Sequence, residues 1–569
     1  MNKKRFKTIW QFAKKYLPLF IIAEICILVS YAVSLLLPLN LTKLTDQVLY
    51  GKQYSLLSEV IYTYIILFAI AAVFNLIYAF VWQTLSNRYV VDVKNSVYEK
   101  TVFAKAAFLS DMNSGDIMSR IDQDADQFIN IIQRNLFHFI NSAILCIGIV
   151  YMVARINWQI AIVISVAAIL PIIFTRICGR FTQKYSKETR EKTGAVSGRL
   201  FEIIKGFREI KLFCAQAFAK NQIFSSLRQL IKLGNKTRRV DFIVNKSIFF
   251  INLSTSLVIY GTSAYFIING DLTIGVFLAI VQYVALLHKK LNWMLRIYLD
   301  WFARKISIDR VNVILDTESE DFSGIEIKEI NSIEFENVTF GYNNMNVLNN
   351  VSFYINKGEK IALVGVSGVG KTTVIGLLLR FYEPNSGQIL INGININTIN
   401  PASIRKVFGV VSQDILIFED SIKNNLLLGK EYSNDNINKS LNLAQLDELI
   451  KEMPQGIETK ISGDSVGLSG GQKQRLMITR LLLKDAKTII LDEATSALDV
   501  KTESDITKTI FELKKDATII VISHRFASIR NCDKIFVLDN STIDSIGTHE
   551  QLLKHSVSYK SLFGSEMIE

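Results

Sequence analysis

Six long apolar runs in the first half of the chain decide its environment. Residues 17–39 carry one charge, Glu24, and residues 60–83, 156–175 and 247–270 carry none. Residues 135–154 carry none apart from the titratable His138. A sixth run starts at Leu272 and passes Leu287 into His288, Lys289 and Lys290, with its end placed near residue 296. A membrane span needs about 20 apolar residues at a rise of 1.5 Å each. Five runs meet that length unaided, and the sixth is the weakest by hydropathy. A soluble helical domain would show polar faces instead.

Charge separates the chain into two halves. Residues 1–320 hold 38 Lys/Arg against 21 Asp/Glu, and residues 321–569 hold 26 against 31. The net +12 therefore sits among the apolar runs. That placement favours a membrane surface over nucleic acid as the partner of the basic half. Within it, short connections (40–59, Arg155, Gly270–Asp271) alternate with long ones (84–134 and 176–246). The N-terminal tail holds six Lys/Arg, the long connections six and seventeen, and the short ones only Lys43, Lys52 and Arg155. By the positive-inside rule the N-terminus, both long connections and the second half are cytoplasmic, and the chain is multi-pass in a plasma or inner membrane.

The basic tail runs into 23 apolar residues with no small-residue cleavage site, so no cleavable signal is expected. Trp10, Phe6 and Phe12 among lysines suit a helix lying on the inner leaflet. The long connections read as helix pairs reaching into the cytosol, each with a short cross-helix at its tip. Five scattered cysteines without a CxxC give neither a disulfide framework nor a zinc site.

Polar residues 321–331 mark a boundary between a domain over 1–320 and another over 321–569. The second has short β-rich runs (333–335, 360–364, 488–491, 518–522) separated by helical stretches, which predicts an α/β fold with a mostly parallel core. The strand IALV leads into Gly365, Val366, Ser367, Gly368, Val369, Gly370, Lys371, Thr372 and Thr373. This is GxxxxGK[ST] between a strand and a helix. Its backbone N–H groups and helix N-terminus suit phosphate. Lys371 suits the β/γ-phosphates, and the Thr372 hydroxyl suits Mg²⁺. A second strand ends in Asp492 and Glu493. Adjacent carboxylates at a buried strand end are costly without a cation. Asp492 is thus the candidate Mg²⁺ ligand, and Glu493 the group that polarises the attacking water. Leu468-Ser469-Gly470-Gly471-Gln472 opens another helix, a second phosphate-seeking N-terminus.

These elements, in this order, closely resemble an ATP-binding-cassette (ABC) exporter half-transporter: an all-α six-span domain followed by an α/β P-loop NTPase domain. The motifs carrying the resemblance are Tyr342, 365–373, Gln413, LSGGQ at 468–472, the pair 492–493, Ser496-Ala-Leu-Asp499 and His524. The resemblance implies that Tyr342 stacks on adenine. Gln413 would sense Mg²⁺ and the γ-phosphate, and His524 would contact the γ-phosphate. Asp499 would communicate across a dimer, and residues 115–121 and about 203–213 would be coupling helices. The segment before LSGGQ, 462–467, departs from the usual pattern, with Asp464 standing where a glutamate is usual.

The family also implies two chains pairing head to tail, each ATP held between one chain's P-loop and the other's LSGGQ. A homodimer is expected because every ATP motif is intact, with a heterodimer as the alternative. The function implied is ATP-driven export of a drug, peptide or lipid-like substrate by alternating access. An importer on the exporter fold and an ATP-gated regulatory protein are the alternatives. No fused leader peptidase is expected. For the charges inside the spans two readings stand. Either Glu24 pairs with Lys289 or Lys290 while the other lysine snorkels, or His288, Lys289 and Lys290 line a cavity that draws an anionic group.

Overall fold

The computed structural model describes residues 3–563 apart from 111, 113, 343–344, 414, 462–466, 494–507, 513–514 and 524. The chain divides into two compact units. One holds Met1–Ala104 and Met112–Glu318, and the other holds Lys105–Asp111 and Ser319–Glu569.

In the first unit, six helices are long and apolar enough to cross a membrane. A short α1 (Lys3–Ala13) precedes α2 (Leu17–Lys43), which carries the first apolar run. Ile9 and Ala13 of α1 are buried in the protein while Trp10 is exposed. The Tyr89 hydroxyl donates to the Ile9 carbonyl at 3.1 Å and ties α1 to α3 (Leu57–Val102). The return path is broken into α4 (Ala106–Ser110), α5 (Ser114–Ser119), α6 (Asp126–Asn130) and α7 (His138–Ile156), with π-helical turns at Arg120–Asp124 and Ile131–Phe137. A single residue, Asn157, separates α7 from α8 (Trp158–Lys205). Its side chain caps α8 by accepting from Gln159 N at 2.9 Å and Ile160 N at 3.1 Å. Next come α9 (Phe207–Leu212), α10 (Gln216–Ile268) and α11 (Ile274–Leu315). With 48 residues, α8 is about 70 Å long, well beyond a bilayer core.

The second long connection has the expected plan: two continuous helices with the short α9 between them. The first differs. Residues 115–121 are not a tip. They belong to α5 and the π-helical turn after it, where Asp116 is held by Arg310 and by Arg120 at 2.7 Å. Arg310 also bonds Asp124 at 2.7 Å. These paired charges hold the segment against α11. The short helix next to the end of α3 is α4, and Lys105–Asp111 falls in the second compact unit. Gly115 misled because a glycine break and a glycine inside a short helix look alike in sequence.

Where α2 meets the start of α11, the Asp46 carboxylate accepts from Gly275 N at 2.8 Å and from the Thr273 hydroxyl. Thr42 Oγ1 donates to Gly275 O at 3.3 Å. An added Cβ at Gly275 would meet Asp46 Oδ1 at 2.6 Å, so a larger residue there would displace the carboxylate.

Inside the spans, no ion pair joins Glu24 to a lysine among the described residues, which corrects the pairing expected from sequence. Glu24 sits beside Asn141 instead. Lys290 Nζ donates to the Tyr31 hydroxyl at 2.8 Å and lies 4.4 Å from that ring's centroid. Lys289 is exposed. His288 Nε2 lies 3.3 Å from Thr255 Oγ1. An aromatic hydroxyl thus takes the hydrogen bond that a carboxylate was expected to take.

The second unit has two sheets. β1 (Ser332–Tyr342), β2 (Met345–Asn356), β4 (Ser386–Ile391) and β5 (Ile394–Asn395) form an antiparallel sheet in the order β2-β1-β4-β5. β3 (Lys360–Val364), β6 (Phe408–Val411), β7 (Thr488–Asp492), β8 (Thr518–Ile522), β9 (Lys534–Asp539) and β10 (Thr542–Gly547) form a sheet in the order β10-β9-β3-β8-β7-β6. It is parallel except for β10. Its strands are apolar on both faces because both faces are covered. Ile361 and Leu363, Ile490, and Ile520 and Ile522 enter one core cluster. Their neighbours Ala362 and Val364, Ile489 and Leu491, and Ile519 and Val521 enter the other. Stacked Phe335 and Phe353, 4.3 Å apart, join the antiparallel sheet to the first cluster.

Helices fill the connections: α12 (Lys371–Leu378), α13 (Pro401–Val407), α14 (Ile422–Leu427), α15 (Asn434–Leu443), α16 (Asp447–Glu452) and α17 (Gly470–Lys484). Ile422, Leu426, Ile437, Leu441, Ile450 and Leu476 gather in a separate apolar cluster that packs α14, α15, α16 and α17 together.

Candidate functional site

Three strands of the parallel sheet end in candidate residues. β3 leads into the glycine-rich loop, β7 ends at Asp492, and β6 leads towards Gln413. The carboxyl ends of such strands are where open α/β sheets bind ligands.

The loop after β3 adopts backbone that side chains resist. Gly368 has φ +83° and Gly370 has φ +110°. A Cβ on Gly370 would also lie 2.8 Å from Leu348 Cδ2. The loop then turns into α12, whose first residue is Lys371. Lys371 is buried, and its Nζ donates to the loop carbonyls of Gly365 at 2.7 Å and Val366 at 3.0 Å. Burial pushes its pKa down, and the nearby Glu493 and Asp492 carboxylates pull against that shift. The cation is therefore within electrostatic reach of both acids. Val366, Ser367 and Thr372 are exposed, while Val369 and Thr373 are buried.

Tyr342 ends β1, edge-on to Tyr382 at 5.2 Å and to Phe340 at 5.0 Å. Its hydroxyl lies 3.4 Å from Thr373 Oγ1, and burial raises its pKa. More than a third of the ring residue stays exposed (37%), which leaves room for stacking. Tyr382 is a partner that the sequence did not reveal, because nothing in a run of loop residues says which will face Tyr342.

Asp492 is buried and pairs in register with Ile522. Glu493 follows with φ +48°, an uncommon conformation for a non-glycine residue. Its N–H donates to Ile522 O at 2.9 Å. Leaving the strand this way brings its side chain to Gln413, whose Nε2 donates to Glu493 Oε2 at 2.8 Å. Gln474 Nε2 lies 3.5 Å from Glu493 O. That glutamine, one position beyond Lys473 in α17, was also missed by sequence reading.

Ser469 caps α17. Its Oγ accepts from Gln472 N at 3.3 Å, and Gln472 Oε1 accepts from Ser469 N at 2.8 Å. This is a reciprocal capping box. Gln472 therefore serves the helix's own first turn. Ser469 and Gly470 are exposed, Gly471 is half-buried, and no acid lies in that turn. His524, Asp499, Ser496 and Asp464 lie outside the described residues.

The donor set fits a nucleotide with its magnesium. Hard oxygen donors (the Asp492 carboxylate, the Thr372 hydroxyl and the Gln413 amide oxygen) suit Mg²⁺. The loop offers backbone N–H groups and one lysine to phosphate. Fold and site together define a P-loop nucleotide hydrolase attached to a six-helix membrane bundle.

Comparison with known proteins assigns it further. The family model described as "ABC transporter transmembrane region" matches residues 20–291, and that described as "ABC transporter" matches residues 348–496. An ATP-dependent lipid A-core flippase of Photobacterium profundum is 30% identical over 484 residues, covering 84% of this chain and 83% of the flippase. A Bacillus subtilis protein named "Putative multidrug export ATP-binding/permease protein" is 29% identical over 576 residues, with 98% of each chain covered. The solved structure of a bacterial Atm1-family ABC exporter with ATP bound shares the fold. The two superpose with TM-score 0.85 at 24% identity, over 97% of this chain and 99% of the other. This chain belongs to the ABC transporter family. It is an exporter-type half-transporter, a multi-pass membrane protein that binds ATP and couples its hydrolysis to translocation.

Proposed function

We propose that two copies of this chain form a homodimer with two working ATP sites, exporting an amphiphilic, lipid-like or drug-like substrate across the plasma or inner membrane. The N-terminus and the ATPase unit are cytoplasmic in this reading. The Lys/Arg excess of the tail and long connections supports that orientation. Relatives named as a lipid A-core flippase and a multidrug export protein support an amphiphile.

The observation that carries the reading is the Gln413–Glu493 hydrogen bond, within electrostatic reach of Lys371. Glu493 is the candidate group that orients and polarises the attacking water. Gln413 holds its carboxylate and senses the γ-phosphate. Lys371 leaves the loop carbonyls to meet the β/γ-phosphates of ATP, and the backbone from Gly365 to Thr373 cradles them. Mg²⁺ held by Thr372, Gln413 and Asp492 would supply charge neutralisation at the phosphates. Tyr342 stacks on adenine. Ser469, Gly470, Gly471 and Gln472 face the nucleotide of the second copy, with Asp499 and His524 as the sensors of closure.

The test is ATP turnover of the purified chain in lipid, with a mass measurement of its assembly. The expected result is a dimer that hydrolyses ATP, with turnover rising when an exported amphiphile is added. A stable dimer of this chain alone that binds ATP and turns none over would overturn the homodimer with two working sites.

A further inference from the structure

Arg480 is a half-buried cation in α17. It lies about three turns into α17, and burial lowers its pKa. Among the described residues it makes no ion pair. Its Nε donates to the Asn425 carbonyl at 2.5 Å, its Nη2 to Asn425 Oδ1 at 3.1 Å and its Nη1 to the Leu416 carbonyl at 3.1 Å. Its Nη1 also lies 2.9 Å from Met477 Sδ, and a guanidinium partly stripped of water and given only uncharged acceptors is costly. An apolar residue would serve the neighbouring cluster of Ile422, Leu426 and Leu476 more cheaply.

Asn425 explains the arrangement. It is fully buried, and its amide closes on one short segment. Phe418 N donates to its Oδ1 at 2.8 Å, and its Nδ2 donates to Phe418 O at 2.9 Å and Ser421 O at 3.0 Å. Leu416 and Phe418 are themselves 64% and 52% exposed, so packing does not fix them. Their backbone is held by Arg480 and Asn425. Three residues upstream of Leu416 is Gln413, the residue bonded to Glu493. From the same helix, Gln474 reaches the Glu493 carbonyl. One helix therefore holds both members of the Gln413–Glu493 pair, and its exposed N-terminus is the Ser469 end.

We propose that Arg480 and Asn425 are positioning residues for ATP hydrolysis. They fix residues 416–418 to α17, so that Gln413 meets Glu493 only when α17 and its Ser469 end are correctly seated. The inference rests on reading Gln413 and Glu493 as the hydrolytic pair. It adds a physical link by which one end of α17 controls a bond made beside it.

The experiment uses the full chain in lipid nanodiscs and compares R480K, N425A, Q413A and the double variant R480K/Q413A. Lysine keeps the charge and loses the fork of donors, so R480K does not rescue. R480K and N425A are expected to lower kcat about tenfold, with KM for ATP and binding of a fluorescent ATP analogue within about twofold of wild type. The double variant is expected to be no slower than Q413A, because groups acting through one bond are not additive. A merely structural Arg480 would instead lower Tm and weaken nucleotide binding, or multiply its loss with that of Q413A. Either result overturns the proposal, as does an unchanged kcat in R480K and N425A. Should Q413A itself keep wild-type kcat, the hydrolytic reading fails. Multiplicative losses with a slow Q413A remove the coupling alone.

Discussion

In the ATPase unit, Lys371 bonds carbonyls five and six residues away, within its own loop. In the membrane unit, Arg310 bonds Asp116 across 194 residues, and Lys290 bonds Tyr31 across 259. Both units bury charge, and they do so by different means. The loop uses backbone whose course is set by nearby glycines, so its chemistry is local. The bundle uses side chains brought together only by packing. Losing a group from the first should disable a reaction while leaving the fold intact. Losing one from the second should loosen the fold or retune it.

The sharpest test of that contrast is Glu493→Gln. The side chain keeps its shape and loses its charge, so kcat should fall about 10²–10⁴-fold, the usual range for a general base. ATP binding and Tm should persist. Turnover within threefold of wild type would assign the water to another residue.

Lys371→Ala should come next, raising the apparent KD for ATP about tenfold or more through loss of charged hydrogen bonds. Equilibrium binding of ATP reads it directly. Unchanged affinity would mean that its bonds to Gly365 and Val366 are the residue's main task.

In the bundle, Arg310→Met should act on stability. It removes the partner of the largely buried Asp124 and leaves Asp116 with Arg120 alone. With Arg310 partly exposed, a cost of about 1–3 kcal/mol is expected, below that of a fully buried pair. Thermal unfolding in detergent checks it, and a wild-type midpoint would make the bridge ornamental.

Neutralising Lys289 and Lys290 singly should give smaller and unequal effects. Lys290 is engaged by Tyr31, so Lys290→Gln and Tyr31→Phe should behave alike. Exposed Lys289 is the one expected to raise, by a few fold, the amphiphile concentration that half-stimulates ATPase. Equal responses would end the idea of a basic cavity.

The smallest effect is a slope. Burial lowers the Lys484 pKa to about 8, while its amine donates to Arg405 O at 2.6 Å and to Phe408 O. The unfolded chain then binds more protons than the folded one between about pH 8 and the ordinary lysine range. Stability from this residue should rise with pH across that window and stay flat below it. Comparing Tm of wild type and Lys484→Met against pH gives the sign, and a difference that falls with pH contradicts it.

What could be read from sequence follows the same divide. The loop at 365–373 and the acids at 492–493 were legible because strand, turn and helix signals lie within a few residues of the chemistry. Six spans were legible from run length. The antiparallel sheet was largely invisible: β1 and β2 are interrupted by asparagines, and their register shifts three times between Phe335 and Gly341. Glu24 was matched to a lysine by charge alone, whereas Lys290 found an aromatic hydroxyl on the facing helix. Gln472 has a phosphate-seeking look in sequence, yet its side chain closes a capping box. Gln474 and Arg480, in the same helix, carry no motif signal, because the groups they reach, largely backbone carbonyls, leave no residue-type pattern.

The contact between Asp46 and the start of α11 bears on how this end of the bundle can open. One carboxylate holds a backbone N–H and a hydroxyl at the start of α11. To pull α2 away from α11 at this end, the acid must give up two donors at once. Swinging the two helices outward as a pair requires no such loss. This end of the bundle therefore behaves as a hinge leaf made of two helices riveted at one end, and the cheaper line of parting runs elsewhere.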